Sequence, residues 1–597
     1  MARRRLLSKI GFSGLSARSG PLAHGLTNLL RAVIVDDDPS HLNLTTVLPV
    51  PDGTGLAAVE AAIGVLLERH ESLRTTYRIA PGIGPDTVQE VAGEGTLDLL
   101  LVDADGDPAE AAVELARELR TGGFDLAADL PLRLAVLLSG GAPAALVCAV
   151  CHTAMDATSW EILVEEWSAL MDGRELPAPA GLQPIDVVEL ERRPSVRRIT
   201  ESALTYWDAR MRVVPQATFA VPGLAGPAEK DWHHTGLRIV SGRAAGHLDR
   251  IAARTGVSRS VVTLAAFGAL VARRVDEPRC AVTSLSANRV AKELRGYFGT
   301  LAQDALLLLD TGAAGTFDEL VRACRTEAMR AYRASWFDPI RAWEVINGVG
   351  EQRGISFARD LVFNDMSALG QGRAGPAGRR FPAVRTPAED KPLGRYDEAL
   401  DLRLEPLAAE LVPSRLVLIA HRLEERLDLA LWADPQVLPP GEAEEFGRSL
   451  VLLLAAAADG DLPLDRLPGL IGLEPVRRGD GWVRSDGCRV ELAAVRGLAR
   501  EALGDRPHLV VAEPDERLGD RLVCRVAASA DDPAPAPEVL AGLHRRMLGL
   551  LPGRPTALAP QWYVLHAAPA PCGPGPGAYA DAAAWRALPV LAEGPGR

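Results

Sequence analysis

Strand-like and helix-like segments alternate through the first 175 residues, and this alternation limits the possible folds more than any other sequence feature. The predicted elements are a strand at 42–48, a helix at 55–70, a strand at 97–102, a helix at 108–120 and strands at 132–138 and 144–151. A helix-sized apolar face must pack against another layer. The order therefore predicts a mixed α/β (α+β) architecture in which helices cover a sheet.

A Pro-rich polar stretch at 173–194 predicts a connector, and a second unit of similar character begins near Thr200. Its predicted elements are helices at 244–254 and 260–275, strands at 281–285, 360–364, 408–419 and 426–432, and a helix at 440–458. The predicted division is an N-terminal extension at 1–19, a first lobe at 20–185, a second lobe at 186–460 and a small C-terminal domain at 475–597. The Pro-, Gly- and Ala-rich end of that domain is expected to order poorly.

Length, charge and cysteine usage exclude several classes of protein. A chain of 597 residues is too long for one ordinary core. Its net charge of −13 lacks the basic excess of an extended nucleic-acid surface, and no apolar run approaches the roughly 20 residues that cross a bilayer. The seven cysteines include one close pair, Cys148 and Cys151, which indicates neither a disulfide framework nor a zinc site. We expect a cytoplasmic protein without nucleic-acid or membrane partners.

The segment from Cys151 to Trp160 carries the clearest chemical signal, because it follows directly after a buried strand. Thr158 and Glu161 have the spacing of a capping box, which predicts a helix at 160–171 and a tight loop at 152–157. The His152 imidazole titrates near neutral pH and is suited to accepting a proton. Asp156 would either orient that imidazole or pair with a cation that shapes the loop, and a bare His-x-x-x-Asp pattern is also typical of a structural histidine beside a helix cap.

Several motifs, in order along the chain, resemble the condensation domains of nonribosomal peptide synthetases, relatives of chloramphenicol acetyltransferase. The segment Arg69-His70-Glu71-Ser72-Leu73-Arg74-Thr75 is similar to the family's Arg-His-Glu-x-Leu-Arg-Thr, and Cys151-His152-Thr153-Ala154-Met155-Asp156-Ala157 to its His-His-x-x-x-Asp-Gly. Downstream, Asn288-Arg289, then Phe298, Thr300 and Asn364, resemble later motifs. The likeness spans about residues 20–455.

The resemblance implies two chloramphenicol-acetyltransferase-like lobes that form a V around a tunnel. By the same resemblance, His152 matches the family's catalytic histidine, Asp156 matches its structural aspartate, and Arg289 matches the arginine that pairs with that aspartate. No cofactor is expected to bind directly, because substrates would arrive on the phosphopantetheine arms of acyl or peptidyl carrier proteins. The implied reaction joins a carrier-bound acyl or aminoacyl thioester to an amine, with carriers and other synthetase subunits as partners.

Two positions depart from the family pattern. Cys151 replaces the first histidine and Ala157 replaces the glycine, which alone has free access to positive φ. Cys151 is expected to pack inward as a small apolar group rather than to act as a nucleophile. Two alternatives stay open: a catalytically impaired scaffold that recruits synthetase partners, and an O-acyltransferase that uses a carrier or coenzyme A thioester.

The C-terminal domain resembles a degenerate small subdomain of adenylation enzymes, through residues 479–492 and 565–569. The family's lysine near the end is absent from the stretch at 571–577, so amino-acid activation by this chain is not expected. A docking platform and a decayed remnant remain equal interpretations. The basic run Arg192, Arg193, Arg197 and Arg198 suggests either a docking site for an acidic carrier or a solvated connector face.

Overall fold

The structure is a computed structural model that describes residues 5–36, 38–84, 86–104, 106–179, 181–224, 234–369, 395–410, 412, 414–529, 532, 536–567 and 582–596. Three large sheets follow one another along the chain, with five, eight and six strands. Each has its own buried apolar cluster. The first two sheets define the two lobes, and the third defines the C-terminal domain.

The first lobe is a mixed sheet with helices on both faces, in the strand order β1-β6-β7-β8-β3. Its elements are β1 (Arg5–Phe12), β2 (Arg18–Pro21), α1 (His24–Val35), β3 (Asn43–Pro49), α2 (Leu56–Arg69), β4 (Thr75–Arg78), β5 (Val88–Val91), β6 (Gly95–Asp103), α3 (Pro108–Arg120), β7 (Leu132–Ser139), β8 (Ala142–Cys151) and α4 (Ala157–Met171). Leu134 and Val136 pack toward α2 and α4, whereas Ala135 and Leu137 pack toward α3. Strand alternation thus buries both faces of β7.

The prediction of an N-terminal extension at residues 1–19 is wrong for its described part. Strand β1 pairs antiparallel with the whole of β6, from Arg5 opposite Val102 to Phe12 opposite Gly95. Strand β2 pairs with β5 in a separate three-stranded sheet. Backbone hydrogen bonds therefore make both segments part of the first lobe.

The connector predicted at 173–194 contains a helix, and the lobe boundary predicted at 185/186 falls inside it. Helix α5 spans Pro184–Glu191, and α6 spans Pro194–Met211. Thr200, where a new unit was expected to begin, lies within α6. The N–H groups of the first helical residues have no partner within the helix, so proline, which lacks an N–H, is tolerated at that position. Pro184 and Pro194 therefore start helices in a stretch that their presence had suggested was a loop.

The second lobe is an eight-stranded sheet in the order β11-β10-β12-β15-β16-β9-β14-β13. Its elements are β9 (His234–Ser241), α7 (Gly242–Thr255), α8 (Arg259–Val275), β10 (Arg279–Ser286), β11 (Gln303–Asp310), α9 (Phe317–Arg333), α10 (Pro339–Arg353), β12 (Leu361–Asp365), β13 (Arg395–Asp397), β14 (Leu402–Glu410), β15 (Leu416–Arg422), β16 (Leu427–Ala433) and α11 (Pro440–Ala458). The single strand predicted at 408–419 is wrong, because β14 and β15 pair with different neighbours.

The C-terminal domain is a folded unit that packs on the second lobe. After α12 (Leu467–Leu470) come β17 (Trp482–Ser485), β18 (Cys488–Glu491), α13 (Leu492–Leu503), β19 (His508–Asp515), β20 (Gly519–Ala527), α14 (Ala536–Leu550), β21 (Trp562–His566), α15 (Ala582–Arg586) and β22 (Val590–Gly594). Buried Arg353 binds Asp486 at 2.7 Å, and Gln216 donates to the carbonyl oxygen of Ala557 at 2.8 Å.

The end of the C-terminal domain was predicted to order poorly, and the described residues 582–596 correct this in part, since they form a helix and a paired strand. The lysine-free stretch 571–577 lies outside the described residues. The likeness to an adenylation subdomain stays a prediction.

Among the described residues no single helix has the length and apolar composition to cross a membrane. Helices α7 and α8 meet that criterion only as a pair, and they are bent by 101° relative to each other.

Candidate active site

The His152 loop connects β8, which ends at Cys151, to α4, which begins at Ala157. Asp156 is the N-cap of α4, and its carboxylate accepts a hydrogen bond from the backbone N–H of Ser159 at 3.1 Å. The predicted cap at Thr158 and helix start at Trp160 are therefore wrong by one short turn. Aspartate is itself among the most favoured N-cap residues.

Asp156 forms a buried ion pair with Arg289 of the second lobe. The two terminal guanidinium nitrogens of Arg289 donate to the two carboxylate oxygens, each at 2.8 Å. The arginine side chain is 7% exposed and the aspartate 3%. This two-point geometry fits the planar guanidinium, and it confirms the pairing that the family resemblance implied.

Burial alone would raise the pKa of Asp156, because it penalises the charged form. The charge and hydrogen bonds of Arg289 outweigh that effect, together with the backbone N–H groups of Leu301 and Ser159, and hold the pKa below its ordinary value. Asp156 is thus a carboxylate at neutral pH, fixed at the base of the His152 loop by groups from both lobes.

Arg289 lies in the loop between β10 and β11, and this loop has a fixed conformation. Asn288 adopts φ of 51°, a left-handed conformation that asparagine tolerates better than most residues. Its amide nitrogen donates to the carbonyl oxygens of Leu301 and Ser335, and its oxygen accepts from Ser335 Oγ at 2.8 Å. The loop presents Arg289 and Gly299 toward the first lobe.

Ser159 and Thr300 add further contacts between the lobes. Ser159 Oγ donates to the carbonyl oxygen of Gly299 at 2.8 Å, and the N–H of Gly299 donates back at 2.9 Å. Thr300 Oγ1 donates to the carbonyl oxygen of His152. Ser159 was not among the predicted site residues, although its place three residues after Asp156 is the signal that identifies it.

The segment containing Arg69 and His70 supports α4 from behind the loop. Arg69 and His70 bind the two carboxylate oxygens of Glu166 on α4, at 2.8 and 2.6 Å. Burial raises the pKa of Glu166, but the hydrogen bonds from His70 and Arg69 outweigh it and lower that pKa. Phe298 of the second lobe stacks on His70 with ring centroids 4.0 Å apart. Phe298 shares a buried cluster with Met155 of the His152 loop, so this group supports both α4 and the loop.

Three other predicted residues lie outside the His152 loop. Glu71 accepts hydrogen bonds from Arg18, and Arg74 donates to the carbonyl oxygen of Leu67 at 3.2 Å, so both tie the first lobe together. Asn364 lies on β12 opposite Ile419, and in the described part of the chain no hydrogen bond joins its side chain to the loop.

The structure explains how both family departures are accommodated. Cys151 is buried, its sulfur accepts a hydrogen bond from Thr153 Oγ1 at 3.2 Å, and burial raises its thiol pKa. It therefore packs as a small apolar group and is not an activated nucleophile. Ala157 is the first helical residue of α4 and does not have positive φ. The backbone at this position consequently does not require glycine.

His152 is half-buried, in contrast to the buried residues 153–156 that follow it. Its Nδ1 atom is buried and has no hydrogen-bond partner among the described residues. Neither Asp156 nor any other described carboxylate binds the ring. The structure therefore does not support the alternative in which Asp156 orients the imidazole. Asp156 shapes the loop instead.

Comparison with known proteins gives a consistent assignment. The Condensation domain family matches residues 29–338. Chondramide synthase cmdD of Chondromyces crocatus is 28% identical over 286 residues, which is 46% of this chain and 7% of the synthase. Phosphinothricin tripeptide synthetase PhsC of Streptomyces viridochromogenes is 28% identical over 284 residues, 46% of this chain and 26% of that protein. The chain thus matches only a small part of each relative's length.

Solved structures show the same fold. The first condensation domain of the CDA synthetase has a TM-score of 0.57 at 18% identity, and the match covers 75% of this chain and 98% of that domain. The X-domain from teicoplanin biosynthesis has a TM-score of 0.56 at 19% identity, covering 74% of this chain and 95% of that domain. The two-lobed fold, the ordered motifs and the family match over more than half of the chain agree, and the protein belongs to the condensation-domain family.

Proposed function

We propose that this protein is a condensation-type acyltransferase that forms an amide bond between a carrier-bound acyl or aminoacyl thioester and an amine. The observation that carries this proposal is the buried Asp156–Arg289 pair, which fixes the His152 loop at the junction of the lobes. The same arrangement leaves His152 half-buried, whereas residues 153–156 of the loop are buried. The tunnel between the lobes and the phosphopantetheine arms within it are part of the proposal.

The proposed step forms a C–N bond and breaks a C–S bond. The amine nitrogen attacks the thioester carbonyl carbon, and the phosphopantetheine thiolate leaves. His152 accepts the proton that the nitrogen loses, or holds the amine by a hydrogen bond, and the thiolate is protonated in turn. Among the described residues no carboxylate binds the His152 ring, so none competes with the amine for it.

The test compares amide formation by the wild type and His152→Ala, supplied with an aminoacyl-loaded carrier protein and an amine acceptor. General acid–base catalysis typically contributes 10²- to 10⁴-fold, so we expect the rate to fall by about 100-fold or more. His247→Ala is the matched control, because His247 lies on α7 of the second lobe, bonded to Arg250. Equal rates for wild type and His152→Ala would remove His152 from the mechanism.

A second candidate function is a noncatalytic scaffold that recruits synthetase partners. Cys151, in place of the family's first histidine, favours this function. A second observation is the likeness to the X-domain from teicoplanin biosynthesis, which has been solved in a complex with OxyB; that structure and this chain have a TM-score of 0.56. The same assay separates the two. Carrier binding without product over a broad panel of donors supports the scaffold, whereas any His152-dependent amide excludes it.

A further inference from the structure

A basic surface lies on the outer side of the loop that carries Arg289. It combines exposed residues at and just before the start of α6 with the exposed residues of the segment 290–295. We define the Val290 surface as Arg192, Arg193, Arg197, Arg198, Ile199, Val290, Lys292 and Arg295.

The two segments form one continuous surface because they share a core. Val196 of α6 and Leu294 of the loop belong to the same buried cluster, together with Tyr297. At the surface, Arg193 Nη1 lies 3.5 Å from Glu293 Oε1. The buried neighbours therefore hold the two segments that carry the exposed cations side by side.

The charge of this surface is opposite to that of the chain as a whole, which is −13. Arg192 pairs with Glu189, and Arg193 with Glu293. In the part of the chain that the structure describes, the other four cations form no ion pair: Arg197, Arg198, Lys292 and Arg295. Unneutralised positive charge on an acidic protein attracts an anionic partner selectively.

An exposed apolar side chain accompanies these cations. Val290 is 88% exposed, the highest value among the exposed large apolar residues of the described chain, and Ile199 is 42% exposed. Apolar contacts surrounded by charged groups are typical of a protein interface with a polar rim. The surface thus has both elements of a docking site.

Helix α9 provides the competing basic surface, with exposed Arg322, Arg325, Arg330 and Arg333 beside Met329. Arg322 lies 3.7 Å from Asp318, and Arg330 lies 3.9 Å from Glu327, so two of its four charges are already partnered. The Val290 surface retains twice as many unpartnered cations and has the more exposed apolar residue.

We propose that the Val290 surface docks an acidic carrier domain, whose surface carboxylates and phosphopantetheine phosphate meet the cations while an apolar residue covers Val290. This inference rests on the proposed function, since it names the surface on which the substrate carrier binds. Val290 directly follows Arg289, whose guanidinium holds Asp156. A carrier on this surface therefore contacts the same loop that fixes the His152 loop.

The experiment measures binding of one probe, an acidic phosphopantetheinylated peptidyl carrier domain, to the full-length protein at 50 and 300 mM NaCl. The test variant is Arg197→Glu/Arg198→Glu, and the matched control is Arg325→Glu/Arg333→Glu on α9. Arg197 and Arg198 are both exposed, so the test variant is expected to fold. Val290→Ser tests the apolar contact separately.

We expect the test variant to bind at least about tenfold more weakly at 50 mM NaCl, and Val290→Ser to bind several-fold more weakly, with the control unchanged. Loss in the control instead, equal binding by all four proteins, or no binding to the wild type at 50 mM NaCl overturns the proposal. Turnover of a free aminoacyl-pantetheine thioester, which needs no docking, is measured in parallel. Its absence from every protein counts against the proposed function, whereas binding alone decides the docking surface.

Discussion

Two buried carboxyl groups join the lobes, and they are stabilised in opposite ways. Asp156 receives two hydrogen bonds from one arginine and two from backbone N–H groups. Glu191, at the end of α5, receives the backbone N–H of His24 from the first lobe, at 3.1 Å, and the indole N–H of Trp336 from the second, at 3.2 Å. No arginine or lysine of the described chain forms an ion pair with it.

At neutral pH Asp156 is consequently charged and Glu191 is mostly protonated and neutral. The pKa of Asp156 is lowered, whereas burial raises the pKa of Glu191 to about 8, an effect that the nearby Asp338 reinforces. Its other titratable neighbour, His24, has Nδ1 at 3.6 Å and a pKa that burial lowers. Burial without a cationic partner therefore keeps Glu191 neutral, whereas the arginine partner keeps Asp156 charged.

The largest effect should come from breaking the Asp156–Arg289 ion pair, which we call the charged junction. Arg289→Met removes the partner of Asp156 and leaves a buried charge uncompensated, so we expect a loss of about 3–5 kcal/mol in unfolding free energy. Urea unfolding followed by tryptophan fluorescence measures it.

The double variant Arg289→Met/Asp156→Asn serves as the control, since it removes both charges and should recover part of the loss. A change below about 1 kcal/mol in the single variant would show that the pair does not hold the lobes together.

Glu191, with its hydrogen bonds from His24 and Trp336, forms the neutral junction. Its ionisation should make the free energy of unfolding depend on pH in the opposite direction from that of Asp156. Between the ordinary glutamate pKa of 4.5 and the folded value of about 8, folded Glu191 holds a proton that the unfolded chain has released. Stability from this group is therefore present at low pH and falls as pH rises toward 8, by about 2 kcal/mol between pH 6 and 8. Asp156 contributes stability that is present above its ordinary pKa and is lost as pH falls from there through its lowered folded pKa.

Glu191→Gln isolates this effect, because its amide cannot ionise in that range. Unfolding midpoints at pH 6, 7 and 8 should decline less in Glu191→Gln than in the wild type. The same slope in both proteins would show that Glu191 is not the group responsible.

The smallest effect should come from restoring a family residue at the charged junction. Ala157→Gly replaces the first helical residue of α4, where the backbone needs no positive φ. We expect a loss of less than about 1 kcal/mol, from glycine's larger conformational entropy, and no gain in rate. A clear increase in stability or activity would mean that Ala157 strains the loop.

Much of the fold was predictable from local sequence. Helices α3 and α11 begin and end where the apolar spacing predicted, and proline marks the start of each. Strand β1 was missed because it is an edge strand, whose membership depends on pairing with β6 about 90 residues away. The prediction at 408–419 joined two strands because the apolar pattern does not record which neighbour each strand pairs with.

The site was predictable only in part. The pairing of Asp156 with Arg289, 133 positions apart, came from the family resemblance and not from any local pattern. Ser159 was overlooked because Thr158 and Glu161 suggested another cap. The Glu191 junction was invisible in sequence, since its partners are a backbone N–H and an indole on distant segments.

The most direct test of the central claim, that the Asp156–Arg289 geometry holds His152 in place for reaction, is the single-turnover rate of amide formation by Arg289→Lys. Lysine keeps the positive charge but cannot make the two-point contact. The variant must first be shown to fold, and His152→Ala gives the background rate. We predict that the rate of Arg289→Lys is at least about tenfold below that of the wild type. A fully folded Arg289→Lys protein with the wild-type rate would contradict it.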